Sequence, residues 1–280
     1  MLQDQASSLR QLKKLRDYQA SENFPSKDEF IANISRPTGF PTIALVVPDG
    51  VSDEVPPLQE WIHGLVGGSS RACIWDQAGL LSVSSLLPDC DQIFPTLKTV
   101  ETDRGPLLVL PRFPDFRLLT GLPEIERIKF ARNLFRTVGS ISELWIVLRA
   151  SELHHCQAAL QATDLACIIA PDHPDAILKS YEAVKAIHLS GYFSTFGLIV
   201  LNPREIGEKT DFVERIKSVA KQFLSLDLVP AGVVLSGQGS ENCINSQIRE
   251  LVGAIDLKST DFQYFLGERL LYPIPGDLGQ

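Results

Sequence analysis

The residues from 42 to 54 read TIALVVPDGVSDE, so an apolar run is followed by a glycine turn and three acids. An apolar strand, a tight glycine turn and a helix start are typical of a phosphate site, in which backbone N–H groups converge on the anion. Here Asp49, Asp53 and Glu54 crowd the position of that anion, and the segment contains no lysine. The residue types therefore favour a strand–turn–helix whose anion position is filled by the chain's own carboxylates.

Apolar runs of strand length alternate with amphipathic segments from residue 41 onwards. The runs cover 42–47, 72–76, 106–111, 144–148, 165–170, 196–201 and 229–235, and the clearest helical patterns cover 123–141, 174–188 and 211–226. Unbroken apolar strands separated by helices are typical of a parallel sheet covered on both faces. We expect one doubly wound, mostly parallel α/β domain over 41–280, with ligands bound at the carboxyl ends of its strands.

The first forty residues differ from this body. Residues 20–40 are rich in turn residues and have no clear period, whereas apolar side chains recur at helical spacings through 2–19, at Leu2, Ala6, Leu9, Leu12 and Leu15. The pattern predicts a helix over 1–19 that a linker over 20–40 tethers to the body.

Composition narrows the class of protein. The chain has 280 residues, 44% of them apolar, a formal charge of −8 and a pI near 5.2, which indicates a globular protein without a dominant nucleic-acid surface. Its five cysteines are odd in number and form no CxxC pair, so we expect neither a disulfide framework nor a zinc site. Cys73 and Cys167 lie in apolar runs and are predicted to pack as small hydrophobes. With no signal peptide or bilayer-length run, a cytoplasmic location is expected.

The order of these segments resembles the MinD/ParA superfamily of deviant Walker P-loop ATPases, and in particular the FlhG (FleN) family of flagellar-number regulators. The loop at 48–54 takes the place of the family's KGGVGKT, and residues 76–79 take the place of its DADLG. The stretch 168–176 resembles the TTPEPTA turn with one residue added, and 198–202 resembles the strand that ends in asparagine near the adenine. The resemblance implies the fold of this superfamily for the body of the chain.

The loop after the first strand departs from the family pattern at the positions that contact phosphate and Mg²⁺ in the family. Asp53 occupies the position of the phosphate-contacting lysine, and Glu54 that of the Mg²⁺-ligating hydroxyl. Pro48 occupies the position of the extra signature lysine, while Gly50 keeps a glycine in the turn. The resemblance therefore implies a degenerate nucleotide site at this loop.

Two further strand ends depart from the family as well. Ala78 replaces the second acid of DADLG, and the strand that ends in the Walker B aspartate ends here in Arg149. Asp76 is the acid that remains, and a polar residue at a strand end more often caps the next turn than performs catalysis. We interpret Asp76 as structural.

Elementary electrostatics also argues against ATP binding. Pro56 and Pro57 lack N–H groups at the expected helix start, and the helix dipole favours Asp53 and Glu54 in the anion position. A charge pair about 4 Å apart is worth roughly 4 kcal/mol at an effective dielectric of 20, and a micromolar ligand has only about 8 kcal/mol of binding free energy. We expect no useful ATP binding, no nucleotide cofactor and no enzymatic turnover by this chain.

The first helix carries the second informative motif, DQASSLR at 4–10. It resembles the DQAxxLR motif with which FlhG proteins dock on the signal-recognition-type GTPase FlhF and stimulate GTP hydrolysis. The match covers every named position of the motif, which are Asp4, Gln5, Ala6, Leu9 and Arg10. The resemblance implies a partner-binding helix, in which Gln5 could orient the attacking water as a glutamine does in other GTPases. The alternative is a helix that packs on its own domain with Asp4 as its cap.

Other candidate sites are weaker. His154, His155 and Cys156 are adjacent, but neighbouring histidines on a helix point to different faces, so no metal site is predicted. Residues 261–273 have aromatics and leucines but a net charge of −1, which does not favour an anionic membrane surface.

The leading prediction is a FlhG-like pseudo-ATPase that acts with an FlhF-like GTPase in flagellar number or placement. The chain is expected in the cytoplasm, recruited through that partner to the pole or flagellar base, where switch or transcription-regulator proteins are possible further partners. The alternatives are a non-catalytic scaffold for flagellar or polar proteins and an ATPase with an altered nucleotide site.

Overall fold

The apolar runs form the strands of one eight-stranded sheet. The computed structural model describes residues 41–50, 72–80, 98–102, 105–110, 141–154, 156–161, 163–171, 174–192, 195–201, 208–234 and 250–251. All of them lie in the unit Pro37–Gln280. The predicted helix at 1–19, the linker at 20–40, Asp53, Glu54 and the segment 261–273 lie outside the described residues.

The strands follow the predicted runs to within a residue or two. They are β1 (Thr42–Val47), β2 (Ala72–Asp76), β3 (Lys98–Thr102), β4 (Gly105–Leu110), β5 (Glu143–Arg149), β6 (Leu165–Pro171), β7 (Thr195–Leu201) and β8 (Leu228–Val234). Every residue of β1 and of β2 is buried, as expected for strands covered on both faces.

The sheet has the order β3-β4-β2-β5-β1-β6-β7-β8. All pairings are parallel except that of β3 with β4, which is antiparallel at the edge. The mostly parallel α/β fold predicted from the alternating runs is therefore confirmed. The sequence did not reveal β3, because KTVET is polar apart from its valine and resembles an exposed edge rather than a buried run.

Helices follow the strand ends on the carboxyl side. A 3₁₀ turn at Ala150–Glu152 continues β5, and the α-helices in the described residues are α1 (Gln157–Gln161), α2 (Pro174–Leu189) and α3 (Glu208–Leu224). α2 begins at Pro174, where a missing N–H costs nothing and the fixed φ suits the first helical turn. The patterns at 174–188 and 211–226 thus gave α2 and α3, while 123–140 lies outside the described residues.

Apolar side chains cover both faces of the sheet. One core cluster joins alternate strand residues to α1, α2 and α3 through residues such as Ala183, Ile187 and Ile216, and the other collects the opposite set, including Leu45 and Trp145. Successive side chains of a strand point to opposite faces of the sheet, so alternate residues belong to different clusters. The faces of the central strands are therefore packed, and these strands can present polar groups at their ends, whereas the edge strand β3 also has exposed polar residues along its length.

Gly197 marks a close approach in this sheet. A Cβ at this position would lie 2.7 Å from Sγ of Cys167 on β6 and 3.1 Å from Cβ of Ala231 on β8. Glycine is required here because its neighbours on both adjoining strands occupy the space of a side chain.

The buried cysteines behave as the sequence predicts. Cys73 and Cys167 are free and fully buried. Burial raises the pKa of the Cys73 thiol to about 12, although a backbone hydrogen bond involving Leu110 opposes the shift, and burial also raises the pKa of Cys167. Neutral thiols of this kind act as apolar packing groups.

Among the described residues, no helix is long and apolar enough to cross a membrane.

Candidate functional site

The carboxyl ends of β1, β2, β5 and β6 form the candidate site. β1 lies between β5 and β6, so the chain places elements on both sides of the turn that follows it. Val47, the last residue of β1, is in register with Arg149, and Asp76 is in register with Val147. This end of the sheet, called the carboxyl edge below, therefore gathers Pro48, Gly50, Asp76 and Arg149, which the sequence pattern had singled out.

The turn after β1 is exposed and lies against a hydroxyl group. Pro48 is buried, whereas Asp49 and Gly50 are exposed, and Gly50 has a φ of 76°. That backbone conformation favours glycine. Ser151 in the 3₁₀ turn after β5 donates its Oγ–H to Oδ1 of Asp49 over 2.7 Å. The exposed acid of the turn is thus oriented by a neighbouring element.

Asp76 is enclosed by its own turn. Its side chain is fully buried, and its Oδ1 accepts a hydrogen bond from the Leu80 backbone N–H over 3.2 Å. The Gly79 N–H approaches the Asp76 carbonyl over 3.4 Å, and the Ala78 N–H donates to the Val147 carbonyl over 2.9 Å. This is the hydrogen-bond pattern that the capping interpretation of Asp76 expects.

Arg149 lies at the end of β5, where the resembling family has an acid. Its Nε–H donates to the Ala78 carbonyl over 3.1 Å, and its side chain is half-buried. The guanidinium therefore joins the end of β5 to the turn after β2. A cation fixed in this way offers no ligand to a metal ion.

Lys179 is the residue of this edge that sequence reasoning missed. It lies on α2, and its Nζ would be 2.8 Å from a Cβ placed on Gly50. An ammonium group therefore lies directly against the turn after β1, 129 positions away along the chain by the residue numbers. The helical pattern of 174–188 gave no signal of this contact, because it depends on which strand pairs beside β1.

The described residues of the carboxyl edge do not fit a Mg²⁺ ion. Magnesium prefers carboxylates that open onto water and phosphate oxygens. Asp76 is buried in its turn and β5 ends in a guanidinium, so among these described residues the carboxylate that opens onto water is that of Asp49, which also accepts from Ser151. Within the described ranges, no group of three or more His, Cys, Asp and Glu side chains could hold a metal ion.

The remaining residues that the sequence analysis considered are distributed differently, including the histidine–cysteine cluster for which no metal site was predicted. His154 is exposed, and Cys156 is buried two residues further on. Asp53 and Glu54 of the loop lie outside the described residues, as do the N-terminal positions Asp4, Gln5, Ala6, Leu9 and Arg10. The partner-binding prediction therefore stays a prediction.

Comparisons with known proteins bear on the fold. No protein-family model matches the chain, and no curated protein matches it significantly. Solved structures do match. ParA of pNOB8 shares 12% identity at a TM-score of 0.50, covering 76% of this chain and 99% of that one. Protein DIP2308 from Corynebacterium diphtheriae shares 12% identity at a TM-score of 0.50, covering 75% and 98%.

The MinD cell division protein of Aquifex aeolicus is a further structural neighbour. It shares 13% identity at a TM-score of 0.44, covering 82% of this chain and 96% of that one. Sequence identities this low show similarity of fold and not of function. The eight-stranded, mostly parallel sheet of this chain has the α/β fold of ParA of pNOB8.

Proposed function

We propose that this chain is a FlhG-like pseudo-ATPase whose N-terminal helix binds and activates an FlhF-like, signal-recognition-type GTPase. The observation that carries the proposal is the motif at 4–10, which matches DQAxxLR at Asp4, Gln5, Ala6, Leu9 and Arg10, joined to a body of MinD/ParA fold. In this proposal the chain regulates flagellar number or placement as an adaptor. It acts in the cytoplasm and reaches the pole or flagellar base through its partner.

The carboxyl edge supports the absence of turnover. ATP hydrolysis in P-loop enzymes depends on a metal that bridges phosphate oxygens and on a residue that positions water. Here Asp76 is buried and bonded to backbone, and Arg149 stands at the end of β5. Both features are what a fold without its nucleotide chemistry would have.

The helix predicted over residues 1–19 supports the activating role. Residues 1–19 have an apolar stripe, and an isolated helix of this length is marginally stable in water, so it should order fully against a partner. Leu2, Ala6 and Leu9 would bury against the GTPase, while Gln5 would orient the attacking water. Asp4 and Arg10 would fix the register of the helix by charge.

Single-turnover GTP hydrolysis by the purified FlhF-like partner tests the proposal. The full chain should raise the rate, and Gln5→Ala should remove most of the increase while leaving binding of the chain largely intact. The matched control is Gln3→Ala, which alters a neighbouring glutamine outside the named motif positions and should keep the stimulation. An unchanged rate with the wild-type chain contradicts the proposal.

The alternative function is a scaffold that binds flagellar or polar proteins without activating a GTPase. The residues at the carboxyl edge are equally compatible with this function. It predicts that a chain lacking residues 1–19 still captures the same flagellar or polar proteins in a pull-down. The activating proposal predicts that this deletion loses the GTPase.

A further inference from the structure

We propose that two copies of this chain form a symmetric dimer through the outer face of α2. The leucines of one copy pack on those of the other, and a glutamate–lysine pair forms on each side of the two-fold axis. The inference does not depend on the proposed activation of a partner GTPase. It concerns a surface of the body, and it requires neither residues 1–19 nor a bound nucleotide.

The outer face of α2 presents a stripe of exposed side chains. Of the α2 side chains that the structure describes, those of 176–189, the exposed ones are Leu178, Glu182, Lys185 and Leu189. Spacings of four, three and four residues keep them on one face of the helix. The opposite face of α2 packs into the core. This set, called the α2 stripe below, is therefore the surface that the helix offers to another molecule.

The apolar side chains of the α2 stripe are largely exposed. Leu178 is 63% and Leu189 is 72% exposed. Within the described ranges, the further large apolar side chain that is exposed is Phe223 of α3, whose ring meets Tyr181 of α2 edge-on with 6.1 Å between the centroids. Isolated exposed apolar residues are ordinary, but here all three belong to two neighbouring helices. Their concentration indicates a surface that another molecule covers.

The order of side chains in the α2 stripe identifies that molecule as a second copy. In either direction the stripe runs leucine, charge, charge, leucine at the same spacings, and its midpoint lies between residues 183 and 184. A two-fold axis at this midpoint, perpendicular to the helix, pairs α2 with an antiparallel α2 of the second copy. Leu178 of each copy is then opposite Leu189 of the other.

The same axis makes the charges complementary. It places Glu182 of each copy opposite Lys185 of the other, so the dimer gains two ion pairs. In the part of the chain that the structure describes, neither side chain takes part in an intramolecular ion pair. A parallel arrangement in register would instead place glutamate opposite glutamate and lysine opposite lysine. The charges therefore favour the antiparallel dimer.

The size of the α2 stripe sets the expected affinity. It covers about 16 Å of helix, at a rise of about 1.5 Å per residue. A contact along one helix is smaller than the roughly 1,200–2,000 Å² of a stable interface, so we expect a dissociation constant of about 10–100 μM. Sedimentation equilibrium of the full chain, in EDTA and without nucleotide, should show a mass that rises with concentration from 30.9 kDa towards twice that value.

Charge reversal tests the proposed pairing. Glu182→Lys and Lys185→Glu should each weaken association by about tenfold or more, because the symmetry repeats the like-charge contact on both sides of the axis. An equimolar mixture of the two variants should associate within about threefold of wild type, since every contact of the mixed dimer again joins a lysine to a glutamate. Leu178→Ala should also weaken association by about tenfold, because the leucine is lost twice in each dimer.

Glu101→Lys is the matched control for charge reversal. Glu101 is an exposed acid of the edge strand β3, and four strands separate β3 from β6, on which α2 packs. This variant should leave the dissociation constant within about twofold of wild type. Circular dichroism checks that each variant is folded, and association of the mixture shows that both of its components are.

Three results would overturn the proposal. The first is a wild-type chain that stays monomeric at about 500 μM, well above the expected dissociation constant. The second is a mixture of Glu182→Lys and Lys185→Glu that associates no better than either variant alone. The third is a loss of association in Glu101→Lys as large as that in Glu182→Lys.

Discussion

Two buried aspartates lie at opposite ends of the central sheet, and they make the same kind of contact. At the carboxyl edge, Asp76 accepts from the Leu80 N–H. At the amino ends of the strands, Asp164 accepts from the Thr42 N–H through Oδ2 over 2.8 Å, and its own N–H donates to the Thr42 carbonyl over 2.9 Å. Asp164 precedes β6 just as Asp76 ends β2, and both side chains are almost completely buried.

A position at the carboxyl end of a strand does not by itself make an acid functional. Ligands of doubly wound sheets bind at the carboxyl ends of strands, so Asp164 has no catalytic interpretation. Asp76 is at the correct end for catalysis, yet it is buried and accepts a backbone hydrogen bond in the same way. Because buried carboxylates need such donors, Asp76 is explained by the turn that follows β2, and Asp164 by its contact with the start of β1.

The two ends do differ in their accessible charges. The amino end has Thr163, Asp164 and Glu143, all of them buried. The carboxyl edge has exposed Asp49 together with half-buried Arg149 and Lys179. Any remaining binding at the carboxyl edge should therefore come from these surface charges and not from Asp76.

Replacing the two aspartates by alanine should give the largest effects. Asp164→Ala should lower the free energy of unfolding by about 3 kcal/mol, since it leaves the Thr42 N–H buried without its acceptor, and Asp76→Ala should lower it by about 2 kcal/mol. Urea unfolding measures both. A stability loss at Asp164 with none at Asp76 would break the comparison, because it would leave Asp76 without a structural role.

A substitution in the middle of the sheet gives a reference value for these losses in the free energy of unfolding, because it changes neither end of the strands. Gly197→Ala should cost about 2 kcal/mol, because the new Cβ would lie 2.7 Å from Cys167 Sγ. Adding Cys167→Ala should recover part of that cost, since it removes the clashing sulfur, although the Ala231 contact remains. A double-mutant cycle on urea unfolding measures the coupling, and strictly additive costs would argue against this packing.

The smallest effect on stability is expected at the surface of the carboxyl edge. Arg149→Met keeps the aliphatic stem and removes the hydrogen bond to the Ala78 carbonyl, so it should cost about 1 kcal/mol. Lys217→Met on α3 is the control for loss of a surface cation, since its pair with Glu214 is solvent-exposed. If both variants unfold at the same urea concentration, Arg149 does not join β5 to the turn after β2.

The strands and their order along the chain were predictable, whereas contacts between them were not. Seven apolar runs identified seven strands because burial on both faces leaves a continuous signal, as in Ala72–Asp76. The antiparallel edge strand Lys98–Thr102 has no such signal, since its pattern is mostly polar. The capping of Asp76 was predictable as well, because its partner Leu80 is four residues away.

The contacts that shape the site are long-range. Ser151 and Asp49 are 102 positions apart, and Lys179 reaches Gly50 only because β6 lies beside β1. Strand order in a sheet is not encoded in a local pattern, so neither contact could be foreseen from spacing. A lysine in an amphipathic helix resembles any other surface lysine until its neighbours are known.

The central proposal is that this chain keeps the fold without its nucleotide chemistry, and ATP hydrolysis by the purified chain in Mg²⁺ tests it most directly. The matched variant is Asp76→Asn, which keeps an oxygen to accept the Leu80 N–H but loses the charge a metal would need. We predict that both proteins release phosphate at the rate of a blank without protein. Turnover by the wild-type chain that Asp76→Asn abolishes would contradict the account.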